Sequence, residues 1–167
     1  MIDPTKLWTS VDPAKGPSGI ANWRGSELDH TLTIKKCGNK GRYHCGGVIC
    51  DTKKEAWETS LDWATGSQVF VEEGAGSFKA AIKSQAEMRG YIDHLCECIG
   101  AKFTQINVSN WRRVVKEMYG ISWPAGRELK KAMSVKLVHE HFGIDVCDDE
   151  ADAILVGVAA QRMLMVD

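Results

Sequence analysis

The sequence predicts an α/β domain built on one mixed sheet, antiparallel on one side and parallel on the other. Three observations predict it. Three strand-like segments joined by turn chemistry fill the first 35 residues, strand and helix patterns then alternate, and helical patterns alone close the chain. Hairpins pair antiparallel, whereas strand–helix–strand units pair parallel.

Residues 7–12, LWTSVD, read as the first strand, ending at Asp12-Pro13. AKGPSG supplies two glycines and a proline, which is turn chemistry. Residues 20–23 then read as a second strand and residues 29–35 as a third, by their β-branched content. The stretch CGNKGRYHCGGVICD is glycine-rich, and its tail GGVIC suggests a short strand. Helical spacing begins after Asp51, with Trp57, Leu61 and Ala64 on one face. QVFVE, residues 68–72, is a compact apolar run suited to a strand covered on both faces. Phe78, Ala81, Ile82, Gln85, Ile92, Leu95, Cys96 and Ile99 follow a 3.6-residue period, a long helix stopped at Gly100. Residues 103–108 give another strand, and Ser109 is placed to cap the helix carrying Val114, Val115 and Met118. Trp123-Pro124 breaks that pattern, and helices follow over residues 126–142 and 148–165.

Composition bounds the function. The 167 residues, 18.4 kDa, make one ordinary domain spanning 1–167, since no repeat or linker divides them. With 44% hydrophobic and 26% charged residues, wholesale disorder is excluded. Twenty-one basic and 22 acidic side chains exclude a strongly basic DNA-coating protein but leave room for a local basic surface. Apolar runs fall short of the roughly 18 residues of a membrane helix, so no membrane association is expected. The opening MIDPTKLWTSVDPAKG lacks a basic stretch followed by an apolar one, so a cytoplasmic location is expected. The six cysteines are then expected as reduced thiols.

Acid stands in three places where a plain core should have none. Asp12 closes the first strand, Glu72 closes QVFVE with Glu73 beside it, and the last helix opens DDEADAILVGVAAQRM. On a wheel of 100° per residue, Ala151, Ile154, Leu155 and Val158 form the main apolar face. Glu150, Gly157 and Gln161 share the stripe expected to face solvent. Asp149 and Asp152 continue instead into Ala153, Val156 and Ala160, and Asp148 lies within reach. Any one of these acids is explained by a helix start or an Asx turn. Together, bordering apolar surface, they would repel each other unless a cation joined them. Oxygen-only ligands suit Mg²⁺ or Mn²⁺, and two such ions about 4 Å apart are a standard device for cutting phosphodiesters.

These residues resemble the RuvC-type Holliday-junction resolvases of the ribonuclease H-like superfamily, particularly the divergent phage forms. Asp12-Pro13 followed by Gly19-Ile20-Ala21 is similar to the family's D-P-x₅-G opening. Val69-Phe70-Val71-Glu72 is similar to its glutamate-bearing strand, and Asp149-Glu150-Ala151-Asp152-Ala153 to its D-x-x-D-A helix. The resemblance covers nearly the whole chain. It implies a five-stranded mixed sheet flanked by helices, a homodimer, and Mg²⁺ (with Mn²⁺ able to substitute) held by Asp12, Glu72, Asp149 and Asp152. It also implies a catalytic Lys131, from a helix preceding the last acidic motif, and a four-way junction or other branched DNA as partner. The chain departs from the pattern at Ala14, where the family has glycine, and at Ala75, where it has an aromatic; Phe78 nearby also fits its own helix face.

Cations for phosphate fall in three groups. Lys35, Lys36, Lys40 and Arg42 surround the glycine-rich stretch, while Arg112, Arg113 and Lys116 lie near a helix start. Arg127, Lys130 and Lys131 share a helix face. Taken singly, each group is better explained as a solvated helix face. Trp111, beside two arginines, suits either base stacking or the core. Cys37, His44, Cys45 and Cys50 raise zinc, but C-x₆-H-C-x₄-C lacks the tight knuckle of structural sites, so zinc is not expected. Cys96 and Cys98 are expected as core or surface thiols, and His139 and His141 as ordinary helix residues. The leading expectation is a metal-dependent endonuclease that resolves Holliday junctions by paired nicks. Cleavage of RNA–DNA hybrids and non-catalytic junction binding on the same fold are the alternatives, and the helix over residues 78–99 is the expected dimer interface.

Overall fold

Strand β1 (Leu7–Asp12) pairs antiparallel with β2 (Ser18–Arg24), and β2 with β3 (Glu27–Cys37), so the predicted hairpins form. On its other edge β1 pairs parallel with β6 (Gln68–Glu73), and β6 with β7 (Lys102–Asn107). The computed structural model describes residues 3–14, 16–38, 41–73 and 79–164. Lys40, Ala75 and Phe78 fall outside them.

The sheet has seven strands in the order β5-β4-β3-β2-β1-β6-β7, where the resemblance implies five. The two extra strands are β4 (Arg42–Cys45) and β5 (Val48–Cys50). They exist because β3 outruns β2: Ile34 opposite Ser18 is the last pair between them. Residues 35–37 then find partners on β4, and β4 on β5. Gly46 and Gly47, with φ of 53° and 86°, make the two-residue turn between β4 and β5, a backbone that favours glycine. The expected GGVIC strand therefore loses its glycines to a turn.

Helices cover both faces. Helix α1 (Lys53–Leu61) and α2 (Lys79–Cys98) lie over Val11, Ile20, Ile34, Val69 and Val71. Helices α3 (Val108–Tyr119), α4 (Arg127–Phe142) and α5 (Asp148–Leu164) cover Trp8, Ala21, Trp23, Phe70 and Ile106. Period-2 alternation along each strand separates the two sets. Asn107, not Ser109, caps α3: its side-chain oxygen accepts the Ser109 N–H at 2.9 Å.

Helix α5 corrects the wheel reading. Residues 151–160 are all buried, so no solvent stripe runs along its middle. Gly157 faces the sheet, where an added Cβ would come within 2.4 Å of Trp23 and 2.6 Å of the Ser10 hydroxyl. Glycine is there for close approach, not exposure. Trp23 Nε1 donates to Ser10 Oγ at 2.8 Å, and Ser10 donates to the Ala153 carbonyl at 2.7 Å. Trp23 is itself stacked on Trp8, centroids 5.0 Å apart. Glu150 is partly buried and accepts a hydrogen bond from Thr33 Oγ1 at 2.9 Å, so it too is not a solvent residue.

Candidate metal centre

The C-terminal ends of adjacent parallel strands deliver the first two acids. Val11 pairs with Val71, so Asp12 and Glu72, next along each strand, leave the sheet side by side on the α5 face. Glu73 alternates to the opposite face. Helix α5 brings Asp149 and Asp152, three residues apart and thus on one side of the helix. Gly19, opposite Asp12 on β2, lets the helix start settle: a Cβ there would lie 1.8 Å from the Asp149 carbonyl oxygen.

The electrostatics agree with this placement. Burial pushes the Asp12 carboxyl well above its usual range, and the charges of Glu72, Asp152 and Asp149 push the same way. Glu72 is raised to about 7, first by burial and then by Asp152, against the Trp111 hydrogen bond and Arg112. Burial also raises Asp149 and Asp152. The Ser134 hydroxyl, close enough to relieve Asp152, is bonded to the Lys130 carbonyl at 3.3 Å. Asp152 is only 7% exposed, and its Oδ1 is left buried without a partner.

Lys131 stands at the rim. It binds Asp148 Oδ2 directly and lies 3.7 Å from Asp149 Oδ1. Burial lowers its pKa, but the Asp148 hydrogen bond and the two aspartates outweigh that, so it stays protonated. The same bond holds Asp148 below the usual carboxylate range. Lys131, Arg127 and Asp149 line a cleft of about 440 Å³ with Ala14 and Pro17. Lys130 is partly buried on the same helix.

Two contacts escaped sequence reasoning. Trp111 is fully buried and donates from Nε1 to Glu72 Oε2 at 2.8 Å, which answers the choice between base stacking and core. Arg112 packs over the Trp111 and Trp123 rings, at 5.1 and 5.7 Å, rather than standing free. Its Nε is buried, and its charge acts on Glu72 and Asp152. Nothing in the sequence beyond the Trp111-Arg112 adjacency signals this. Arg113 is exposed and pairs with Glu117 at 3.1 Å. Lys35 and Lys36 are exposed at the end of β3 and Arg42 on β4, beyond the last β2–β3 pair.

The donor set fits a hard divalent cation. Asp12, Glu72, Asp149 and Asp152 offer oxygen only, and the orphaned Asp152 Oδ1 is an acceptor with no protein donor. Among the described residues the trio whose ligand atoms lie within 4.8 Å of one another is Cys147, Asp148 and Asp149, and of the four acids it includes only Asp149. Asp148 there is already held by Lys131, and Cys147 is an exposed soft thiol, so the oxygen set is the better match. Cys37 and His44 lie on the α5 face of the sheet, whereas Cys45 and Cys50 are buried on the other, Cys45 against Ser60 at 2.7 Å. Those four side chains do not converge.

A mixed sheet with helices on both faces is an α/β fold of the ribonuclease H-like kind. More particularly, the fold is RuvC-like. RuvC of Thermus thermophilus in complex with a Holliday junction substrate matches with a TM-score of 0.62, 13% identity, and coverage of 95% of this chain and 96% of that one. A second structure of Thermus thermophilus RuvC matches with a TM-score of 0.54 and 15% identity over 94% and 96% of the chains. No protein-family model matches the sequence. No curated protein matches it either.

Proposed function

We propose that the protein is a divalent-metal-dependent endonuclease that resolves Holliday junctions, and other branched DNA, by paired phosphodiester nicks. The observation that carries this is that Asp12 and Glu72 leave adjacent strand ends on the face where α5 brings Asp149 and Asp152, with Asp152 Oδ1 buried and unpartnered. The RuvC-like fold supports the choice of substrate. Asp12, Glu72, Asp149 and Asp152 would hold the metal, Mg²⁺ with Mn²⁺ able to substitute. A metal held there would supply activation of water and stabilisation of the leaving oxygen.

The chain's own residues supply the rest. Trp111 fixes one oxygen of Glu72, leaving Oε1 for the site. Arg112, seated over the Trp111 and Trp123 rings, offsets part of the charge of Glu72 and Asp152. Lys131 is a catalytic residue on this reading: it stays protonated at the cleft rim and meets the charge that grows on the scissile phosphate. Arg127 and Lys130 on the same helix, with Arg113, bind flanking phosphates. A homodimer, with one site per strand, matches the two-fold symmetry of a junction. The test is a labelled four-way junction incubated with and without Mg²⁺, with the cuts mapped on all strands. Symmetric paired nicks that require the metal are expected. Equal cutting of linear duplex, or none in millimolar Mg²⁺, overturns the reading.

A further inference from the structure

The two extra strands place cations on one side only. Ile34 is the last β3 residue paired with β2, so beyond it β3, β4 and β5 project as a three-stranded ribbon. They project past the edge row Asp12–Gly19–Thr33, the end of the sheet where the acids sit. Alternation puts Thr33, Lys35 and Cys37 on one face of β3 and Ile34 and Lys36 on the other. Thr33 marks the α5 face, since it hydrogen-bonds Glu150. Lys35 is cross-strand from His44, and His44 from Ile49; Cys37 is cross-strand from Arg42. Lys36 pairs instead with Tyr43, which packs against the core under α1 and α2.

The site-side face of the ribbon is open. Lys35 and Arg42 are exposed and Ile49 is 55% exposed, so no helix covers them. Among the described residues neither Lys35 nor Arg42 forms an ion pair, and no acid shares their face between residues 34 and 50. Strand spacing of about 4.8 Å and a rise of about 3.4 Å per residue put Lys35 roughly 12 Å, His44 roughly 16 Å and Arg42 roughly 20 Å from the Asp12 position. Duplex DNA advances about 3.4 Å per nucleotide along each strand. The cations therefore match phosphates about four to six base pairs from the acids.

We propose that the β3–β4–β5 ribbon is a phosphate-binding shelf on which one duplex arm of the substrate lies, held by Lys35, Arg42 and His44, while Lys36 on the reverse face takes no part. The choice of DNA rests on the nuclease reading above. The shelf itself rests on the register, the exposure and the absence of acid between residues 34 and 50.

Junction affinity is measured in chelator over 50 to 200 mM salt for the wild type, Lys35→Gln/Arg42→Gln and Lys36→Gln. Each neutralised phosphate contact contributes about 0.9 to the slope of log affinity against log salt. The double variant is expected to lose about 1.8 from the slope, so over that fourfold salt range the wild type loses about tenfold more affinity than the variant. Lys36→Gln is expected to match the wild type. Equal losses for Lys36→Gln and Lys35→Gln, measured singly, overturn the shelf, as does a double variant with unchanged slope. A double variant that binds normally but sediments as a smaller species overturns it in favour of a second copy of this chain on the same face. A wild type that binds junctions without cutting them removes the nuclease reading alone, and the Lys36 comparison still decides the shelf. A wild type that binds no DNA removes both.

Discussion

Each of the four acids carries one negative ligand in a small, isosteric side chain. Asp12→Asn, Glu72→Gln, Asp149→Asn and Asp152→Asn should each lower single-turnover junction cleavage at least about a hundredfold, since metal assistance supplies several kcal/mol and each 1.36 kcal/mol is tenfold. Junction binding should persist or tighten, because a negative charge near phosphate is removed. Parallel loss of binding and cleavage would point to a folding defect instead. Glu150→Gln keeps an acceptor for the Thr33 hydroxyl and should cut close to the wild-type rate.

The same residues predict how the metal-free protein responds to pH. Glu72 titrates near 4.5 when unfolded and at about 7 when folded. Between those values the native state holds the proton that the unfolded state releases, so stability falls as pH rises through this window. The decline attributable to Glu72 is up to about 3 kcal/mol, from the gap between 4.5 and about 7 at 1.36 kcal/mol per pH unit. Asp12, Asp149 and Asp152 add in the same direction. Urea unfolding in chelator at pH 4.5 and pH 7.5 should show the decline, and Glu72→Gln should flatten it. A metal-free protein that gains stability over this range would contradict the buried, mutually repelling arrangement.

At the scale of elements, α5 is the part most constrained by the sheet. Ala is the better helix former by about 1 kcal/mol over glycine. Gly157→Ala should nevertheless destabilise the protein by about 1–3 kcal/mol, because the new methyl meets Trp23 and Ser10, and Trp23 is held by Trp8. Chemical denaturation reads this directly; a stabilised variant would mean that α5 does not sit as closely as described. This contact also shows where sequence reasoning stopped. The wheel sets Gly157 on one stripe with Glu150 and Gln161, and nothing in DDEADAILVGVAAQRM separates a glycine left to solvent from one pressed on a tryptophan. The β4–β5 hairpin was half legible for a related reason: strands of four and three residues are too short to show a period.

For the whole molecule, the order of strands and helices was readable because long apolar runs and the 3.6-residue period of α2 need no tertiary information. The acids stood out because carboxylates at strand ends border Val71 and Ala153, where a core would exclude them. Their supports were not readable. Trp111 reaches Glu72 across 39 positions of sequence, and only the packing of α3 on the sheet brings them together. A global consequence can be measured by melting. Cation binding at a hundred times its Kd adds about 2.7 kcal/mol to the folded state, or roughly 5–10 °C for a chain of this size. Mn²⁺ or Mg²⁺ should raise Tm on that scale, and the rise should shrink in Asp12→Asn. An unchanged Tm in millimolar metal would count against a preformed site.

The hydrogen-bonded line from Trp23 through Ser10 to the Ala153 carbonyl joins the start of the chain to its last helix. On a ribosome, β1 and β2 emerge and can close their hairpin long before residues 148–164 exist. Until that final helix docks, Ser10 has no partner on α5 and the four acids cannot meet. Synthesis at about 5–20 residues per second makes this an interval of several seconds during which each nascent copy holds Asp12 and Glu72 without their counterparts. The full set of carboxylates is thus acquired only once the α5 segment has been made and docked.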